Sequence, residues 1–336
     1  MEIAFVGLGQ MGKPMAANML KSGARVVIHA TSSRSYADLE GKGAHAARSL
    51  ADVAHADIVF LSLPHGGAVT QVLLGEGGLA TSLRAGAIVV DTSTIDYAAT
   101  LHISQALQQR GIHFVDAPVS GMEARAVDGS LTVMCGGEAG TVEAIRPYLN
   151  CIASNILYMG AVGSGQLAKL VNQLLFDINC AALAEILPMA AALGLDPEKM
   201  EKIINSGTGR SYASAFFVPR ILDDDFSAGY PMRHAYKDLV SAAELGARRG
   251  IPMPVLAAAT ATYQMALLKG YGDGDKGAMI RVFEDLAGVR FRRAMPDEKL
   301  DEKLEVTVDD RAHGKSEGKA DAKAHSNPAT TTGEDA

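Results

Sequence analysis

The sequence predicts an α/β protein in three stretches: an N-terminal Rossmann-type domain over residues 1–162, an all-α helical domain over 163–292, and a disordered C-terminal tail over 293–336. Three observations predict it. A short apolar strand, Ile3-Ala4-Phe5-Val6, runs into Gly7-Leu8-Gly9-Gln10-Met11-Gly12 and then into a helical stretch through Leu20. This is the strand–turn–helix setting that a glycine-rich phosphate loop requires. Further β runs follow as far as Met159, whereas from Gly163 onward the chain reads as helix with short polar breaks. After Arg293 apolar residues almost vanish, and Pro296 to Ala336 is rich in Asp, Glu, Lys, Ala, Ser and Thr. Such a segment buries too little surface to order itself.

Composition bounds the function. A chain of 336 residues is long enough for two domains, and 48% hydrophobic against 21% charged residues supports a core. The net charge of −7 and the lack of a basic face argue against a nucleic-acid partner. The first strand begins at residue 3 with no charged region and hydrophobic signal core before it. The longest apolar run carries Lys169, Asn172, Gln173, Asp177, Asn179 and Glu185, so no lipid-facing segment and no membrane partner are expected. These features together predict a soluble, cytoplasmic protein. Cys135, Cys151 and Cys180 are scattered and odd in number. They suggest neither a disulfide framework nor a metal site, and each is expected to be buried.

In the glycine motif, Gly7 permits the tight turn, Gly9 lets a pyrophosphate approach the backbone, and Gly12 lets the helix pack on the strand. The helix start then offers free N–H groups to phosphate. The segment Gly7, Leu8, Gly9, Gln10, Met11, Gly12 is therefore read as a dinucleotide site; the plainer reading is an ordinary βα turn. The second strand, Arg25-Val26-Val27-Ile28, leads into His29-Ala30-Thr31-Ser32-Ser33-Arg34. An NAD enzyme places an acid near this point, and none stands there. Hydroxyls with Arg34 suit a 2′-phosphate, so NADP is favoured over NAD, with His29, Thr31, Ser32 and Arg34 as cofactor contacts. The alternative is a polar solvated loop.

The β runs Asp57 to Pro64 and Ala87 to Thr94 end where an open α/β sheet binds ligands, at its carboxyl edge. One of Thr92, Ser93 and Thr94 is expected to cap the next helix; a cofactor contact by Thr94 is a separate expectation. In His113-Phe114-Val115-Asp116-Ala117-Pro118-Val119-Ser120-Gly121, a strand runs into Pro118, and Ser120-Gly121 then offers a hydroxyl and backbone donors suited to a carboxylate. Gly129 and the run Leu131 to Gly137 add a turn and a strand, which predicts a mixed sheet. Ile156 to Met159 is the last strand.

A long helix follows, opened by Gly163-Ser164-Gly165 and closed at Gly194. Leu167, Leu170, Val171, Leu174, Leu175 and Ile178 recur at helical spacing. Lys169, Asn172 and Gln173 lie three and four positions apart and share a face. Partial desolvation there lowers the lysine's pKa toward neutrality, where it can exchange a proton; alternatively it snorkels to water. Pro188 is expected to kink this helix. Asp196-Pro197-Glu198 starts another. Ile203 to Tyr212 breaks the pattern, and helices are expected over 237–249, 255–268 and 278–287. His65 and His234 read as ordinary polar residues.

Four of these motifs, in this order, resemble the β-hydroxyacid dehydrogenase family, the group of 3-hydroxyisobutyrate dehydrogenase, tartronate semialdehyde reductase and 6-phosphogluconate dehydrogenase. They are Phe5 to Gly12 with Met15 and Asn18; Asp116 to Gly121 with Ala126, Gly129 and Leu131; Gly163 to Asn172; and Lys237-Asp238-Leu239. The resemblance spans residue 3 to about residue 291. It implies that Lys169 is the catalytic lysine, that Ser120 and Gly121 bind a substrate carboxylate, and that Leu63, Pro64 and Thr94 contact the cofactor. It places Lys237 near nicotinamide or substrate, and implies a homodimer or homotetramer built on the helical domain. Two positions depart from the family pattern. Met122 stands where the family has a second glycine after Ser-Gly, which reshapes the carboxylate pocket. Gln173 stands where the family has Asn, so its longer amide must fold back. Gly209-Arg210-Ser211-Tyr212-Ala213 is similar to a segment of 2-(hydroxymethyl)glutarate dehydrogenase, which makes Arg210 either a second carboxylate anchor or an exposed loop residue.

The expected activity is a metal-free hydride transfer between a nicotinamide and the carbon bearing the 3-hydroxyl of a small carboxylate. Lys169 exchanges the hydroxyl proton, and the amide of Asn172 or Gln173 orients substrate and lysine. An imine reductase shares the two-domain plan but typically lacks the lysine. A cofactor-binding interaction protein is the non-enzymatic alternative.

Overall fold

The computed structural model describes residues 1–30 and 36–293. Thr31, Ser32, Ser33 and Arg34, and the tail from residue 294 onward, lie outside the described residues, as do the expectations placed on them. Residues Met1–Arg293 form one compact unit. It is a parallel sheet with helices followed by a helical region, in the α/β class the glycine turn and strand spacing predict.

The sheet begins with β1 (Glu2–Val6), β2 (Arg25–His29), the two-residue β3 (His45–Ala46), β4 (Ile58–Leu61), β5 (Ile88–Asp91) and β6 (His113–Asp116). These pair in parallel in the order β3-β2-β1-β4-β5-β6. β1 shows why. Ile3 and Phe5 enter one apolar cluster, while Ala4 and Val6 enter the other. Successive side chains point to opposite faces, so a strand that is apolar at every position needs cover on both sides. α1 (Gly12–Met19) and α6 (Ala139–Leu149) cover the first face through Met15, Met19, Val142, Ile145 and Leu149. α3 (Gly66–Leu74) and α4 (Tyr97–Gln108) cover the second through Val69, Val72, Ile103 and Leu107. The short α2 (Ala37–Glu40) contributes Leu39 to the first.

The late sheet is mixed. β8 (Leu131–Gly136) runs antiparallel to β6 and to β7 (Val119–Ser120), and β9 (Ala153–Gly160) lies parallel to β8. α5 (Met122–Asp128) follows β7. The motif residue Asn18 donates to Ala126 O at 2.9 Å and Val127 O at 3.2 Å, which docks the cofactor-side helix α1 on α5.

From Ser164 the chain is helical: α7 (Ser164–Ala192), α8 (Pro197–Ser206), α9 (Tyr212–Leu222), α10 (Met232–Arg249), α11 (Pro254–Leu268) and α12 (Ile280–Ala287). Phe217, Leu239, Tyr263 and Ile280 pack around the inner face of α7 in a third apolar cluster. α7 is long and apolar enough to cross a membrane by composition alone, yet its buried stripe includes Gln166, Lys169 and Asp177. Val171 and Leu175, two of the apolar positions at helical spacing, are instead 59% and 61% exposed. The core-facing stripe farther along is made of Cys180, Ala181, Ala184 and Leu187, small enough for neighbouring helices to approach closely.

Several expectations are corrected. Neither Thr92, Ser93 nor Thr94 caps α4: Asp96 does, accepting from Ala99 N at 2.8 Å, because the loop turns before it reaches the helix. Thr92 Oγ1 donates to Leu61 O and Ser93 Oγ accepts from Leu63 N, so both bind the neighbouring strand end. Ile203 to Ser206 belong to α8, which persists to Gly207 with Asn205 bonded to Glu201 one turn back. α10 starts at Met232, ahead of Lys237, since Met232, Ala235 and Leu239 are buried at helical spacing. Cys135 and Cys180 are buried, but Cys151 is only half-buried because it sits in the exposed turn after α6.

The helical region closes on Glu284. Its carboxylate is fully buried and accepts from Phe291 N at 2.8 Å and from Arg292 Nη1 at 2.6 Å and Nη2 at 3.1 Å. Removing the carboxylate strands the buried Phe291 N–H, while Arg292 keeps Asp224, 2.8 Å from its Nε. Glu284→Ala should therefore lower unfolding stability by roughly 1–3 kcal/mol, the cost of a buried group left without its partner, read as a shift in the denaturant midpoint. An unchanged midpoint would show that water satisfies Phe291 N–H in its place.

Candidate active site

The first turn of α7 is fixed by the carboxylate of Asp116, at the end of β6. Asp116 Oδ1 accepts from Gly163 N at 2.7 Å and Oδ2 from Gln166 N at 2.9 Å. A carboxylate satisfies donors that every helix start leaves open. The approach is close: a Cβ on Gly165 would collide with Met134 O and the Asp116 backbone. Asp116 is buried, and burial pushes its carboxyl up to about 6 against the pull of these N–H groups. Its register partner Asp91, at the end of β5, is fully buried with Oδ2 unpartnered among the described residues. Burial, opposed by Ser93 and reinforced by the nearby Asp116, raises it to about 7.

One turn into α7 stands Lys169, 8% exposed. It does not snorkel: Nζ donates to Gln173 Oε1 at 2.9 Å. The longer amide of Gln173 thus reaches the lysine, and it favours the charged form of the buried Asp238 carboxyl on α10. Burial lowers the Lys169 pKa from 10.5 to about 8; Asp238 and Asp177 oppose the shift and Lys276 adds to it. Two further buried charges complete the group. Lys276 Nζ pairs with Asp177 on α7 and lies 4.3 Å from the centroid of the Phe176 ring.

The expected substrate residues meet this point from the sheet side. Asn172 Nδ2 lies 3.5 Å from Ser120 Oγ, so α7 and β7 bring Lys169 and Ser120 into one region. Gly121 has φ 140° and Met122 φ 60°. A methionine therefore holds the left-handed conformation for which glycine is suited, and Tyr212 OH sits 3.3 Å from its Sδ. Lys237 Nζ donates to Thr94 O at 3.3 Å, linking α10 to the end of the β5 loop. Arg210 is exposed on the loop before Tyr212 and makes no ion pair among the described residues.

The glycine turn has the shape a dinucleotide needs. A Cβ on Gly7 would strike Ser62 O and one on Gly12 would strike Gly7 O, whereas Gly9 has open space within 4 Å. No side chain caps the first turn of α1, where Lys13 N donates to Gly9 O at 3.1 Å. Gln10 Nε2 donates to Glu123 Oε2 at 2.6 Å. Leu8 is buried, Met11 packs on the first apolar cluster, Leu63 is buried and Pro64 exposed. His29 Nδ1 contacts Ala47 O at 3.3 Å, while His29 O accepts from Gly7 N at 2.8 Å.

Sequence reasoning missed four residues of this region. Gln166 and Asp238 sat inside quoted motifs, and burial of a polar residue beside Lys169 was the available signal. Asp177 and Lys276 belong to no motif and meet only through the fold.

Comparison with known proteins agrees with this architecture. A family model described as the NAD binding domain of 6-phosphogluconate dehydrogenase matches residues 2–160, and one described as the NAD-binding of NADP-dependent 3-hydroxyisobutyrate dehydrogenase matches residues 163–283. The chain is 39% identical over 290 residues to 2-(hydroxymethyl)glutarate dehydrogenase of Eubacterium barkeri, covering 86% of this chain and 96% of that one. It is 32% identical over 291 residues to human mitochondrial 3-hydroxyisobutyrate dehydrogenase, covering 84% and 87%. The crystal structure of 3-hydroxyisobutyrate dehydrogenase from Salmonella typhimurium superposes with a TM-score of 0.77 at 29% identity, over 84% of this chain and 99% of that one.

The two buried carboxyls at the sheet edge generate a pH prediction. Both hold protons more tightly folded than unfolded. Their contribution to stability is full below the ordinary carboxyl pKa of 3.8 and is lost as pH rises through about 6 and about 7. The stability read from urea unfolding should thus fall between about pH 4 and about pH 7, by up to roughly 1.4 kcal/mol per pH unit for each group. Asp91→Asn, which cannot ionise, should flatten that slope. Equal slopes in the two proteins would rule out Asp91 as its source.

Proposed function

The chain belongs to the β-hydroxyacid dehydrogenase family, NAD(P)-dependent enzymes acting on CH–OH groups, and from that premise we propose that it interconverts a small 3-hydroxy carboxylic acid and the matching semialdehyde or ketone with Lys169 as general acid/base. The observation that carries the proposal is the buried Lys169, bonded to Gln173 on the helix whose Asn172 reaches Ser120. Nicotinamide, when bound, supplies or accepts the hydride. The glycine turn, with Gly9 open and Gly7 and Gly12 tightly packed, fits its pyrophosphate.

The chain's own groups divide the remaining work. In oxidation, neutral Lys169 accepts the hydroxyl proton; in reduction, its ammonium returns it. Gln173 orients Nζ through Oε1, with the buried carboxyl of Asp238 close to the pair. Ser120 and the N–H groups of Gly121 and Met122 anchor the substrate carboxylate, with Asn172 steadying Ser120. Arg210 is the second anchor we assign, for a substrate with another carboxylate. The similarity to 2-(hydroxymethyl)glutarate dehydrogenase supports this, as does the free guanidinium beside Tyr212. NADP is the cofactor we favour, on the hydroxyls and Arg34 after β2. We further propose a homo-oligomer, supported by the exposed apolar Val171, Leu175, Ile186 and Met189 on α7.

Turnover of NADPH against a panel of 3-oxo and 2-formyl acids, with one and two carboxylates, tests the substrate class. Lys169→Ala should cut kcat by roughly 10²–10⁴-fold with cofactor binding intact. Because burial sets its pKa near 8, oxidation should rise with pH through about 8 and level off, while reduction should fall through the same range. A Lys169→Ala protein within a fewfold of full activity would remove the lysine from the mechanism.

Cofactor choice is tested separately. Arg34→Ala should weaken NADPH binding by about 1.5–3 kcal/mol, the worth of a charge-assisted contact, and leave NADH binding nearly unchanged. Equal constants for NADPH and NADH in the unmutated enzyme would withdraw the NADP assignment.

A further inference from the structure

We propose that Gln166 is a positioning residue, which ties the segment following β5 to the helix turn that carries Lys169, so that cofactor binding and placement of the lysine are one event. The inference rests on the reading of Lys169 as acid/base and goes beyond it.

Gln166 is 3% exposed, and its carboxamide is spent on backbone far away in sequence. Oε1 accepts from Ile95 N at 3.2 Å, and Nε2 donates to Ser93 O at 2.8 Å. Its own N–H donates to Asp116 Oδ2 at 2.9 Å. One residue thus clasps two neighbouring strand ends, β5 through its side chain and β6 through its main chain. Ser93 extends the clasp, since its Oγ accepts from Leu63 N at 2.9 Å at the end of β4. Thr94, between the two Gln166 contacts, offers its carbonyl to Lys237 Nζ. Leu63 and Thr94 are the residues assigned to the cofactor; the carboxamide brackets Thr94 and reaches Leu63 through Ser93.

Lys169 stands three positions after Gln166, on the neighbouring turn of the same helix face. A shift of the Ser93–Ile95 segment on cofactor binding must therefore either break a buried amide bond or carry the start of α7 with it. An apolar residue at 166 would fill the space without enforcing register. A buried amide enforces it, because each unmade bond leaves a desolvated backbone group without a partner.

Two measurements test this. In the unmutated protein, amide hydrogen exchange followed by NMR should show Ile95 N–H and Gln166 N–H slowing together, by about tenfold or more, when NADPH is added. This readout requires neither a substrate nor an active lysine. Gln166→Met keeps the volume and removes both side-chain bonds. It should weaken NADPH binding about 3- to 10-fold, as the loss of a net hydrogen bond does, and lower kcat by about 10- to 100-fold through misplacement. The substrate KM and the pH midpoint set by Lys169 should stay in place, which a general loosening of the fold would not produce. Exchange at Ile95 and Gln166 that ignores NADPH would overturn the coupling, whether or not the variant folds. So would a folded Gln166→Met protein with unchanged NADPH affinity and kcat. Failure of the acid/base reading would show instead as an active Lys169→Ala protein with Ile95 still responding to NADPH.

Discussion

The arrangement depends on one carboxylate placed at the head of one helix. Asp116 ends β6 and receives the N–H groups of Gly163 and Gln166, so the 29-residue α7 leaves the sheet in a fixed direction. Everything the helix presents inherits that direction: Gln166 toward the β5 loop, Lys169 toward Gln173, Asn172 toward Ser120. Water cannot replace this bond, because Asp116 is fully buried and Gly165 lies against Met134 O. The carboxyl is held where burial opposes its charge and the helix N-terminus favours it. The strand β6, which leads four residues on to Ser120 in β7, thus also aims the helix.

The second constraint is the burial of positive charge. Lys169 and Lys276 are both nearly sealed from solvent, and Asp177 and Asp238 are buried beside them. An isolated ammonium at that depth would shed its proton. Balanced by Asp238 and Asp177, Lys169 keeps a pKa near 8 rather than falling further. That leaves it able to change protonation state at ordinary pH. Lys276 contributes in the opposite sense while neutralising Asp177 and resting on the ring of Phe176. Lys169 and Asp177 of α7 thus belong to a set of mutually compensating charges, while Val171 and Leu175 near them lie on the helix's exposed side.

Much of this was legible in the sequence, and the limits have physical causes. The glycine turn could be read because Gly7, Gly9 and Gly12 each answer a steric demand visible from spacing alone. Lys169, Asn172 and Gln173 could be placed on one face because helical periodicity is local. The mixed late sheet followed from the turn at Gly129. The cap of α4 was assigned to the wrong residues, because choosing among Thr92, Ser93, Thr94 and Asp96 depends on where the loop leaves the sheet. Val171 and Leu175 recur at helical spacing and yet are exposed, since periodicity reports an apolar face and says nothing of what covers it. The pair Asp177–Lys276 joins residues 99 positions apart, and neither carries a local signal. Gln166 was quoted only as part of a motif, since its partners Ser93 and Ile95 are made neighbours by the packing of α7 on the sheet.

The departure at Met122 acquires a reason from its surroundings. A residue with a side chain in the left-handed region costs about 1–2 kcal/mol, and the family's glycine would avoid that cost. The methionine gains a contact with Tyr212 that glycine cannot make. Tyr212 is no isolated ring: it stacks on Phe216 and meets Phe176 edge-on, and Phe176 lies under Lys276. A Met–aromatic contact is worth about 0.3–1.5 kcal/mol, so it offsets part of the strain without cancelling it. What the substitution leaves behind is a connection. The loop carrying Ser120 and Gly121 becomes joined, through Met122 and Tyr212, to the aromatic cluster beside Asp177 and Lys276, and to the segment that holds Arg210. Strain retained at a turn is informative when the neighbouring structure holds it in place, and here an aromatic cluster in the helical region does so.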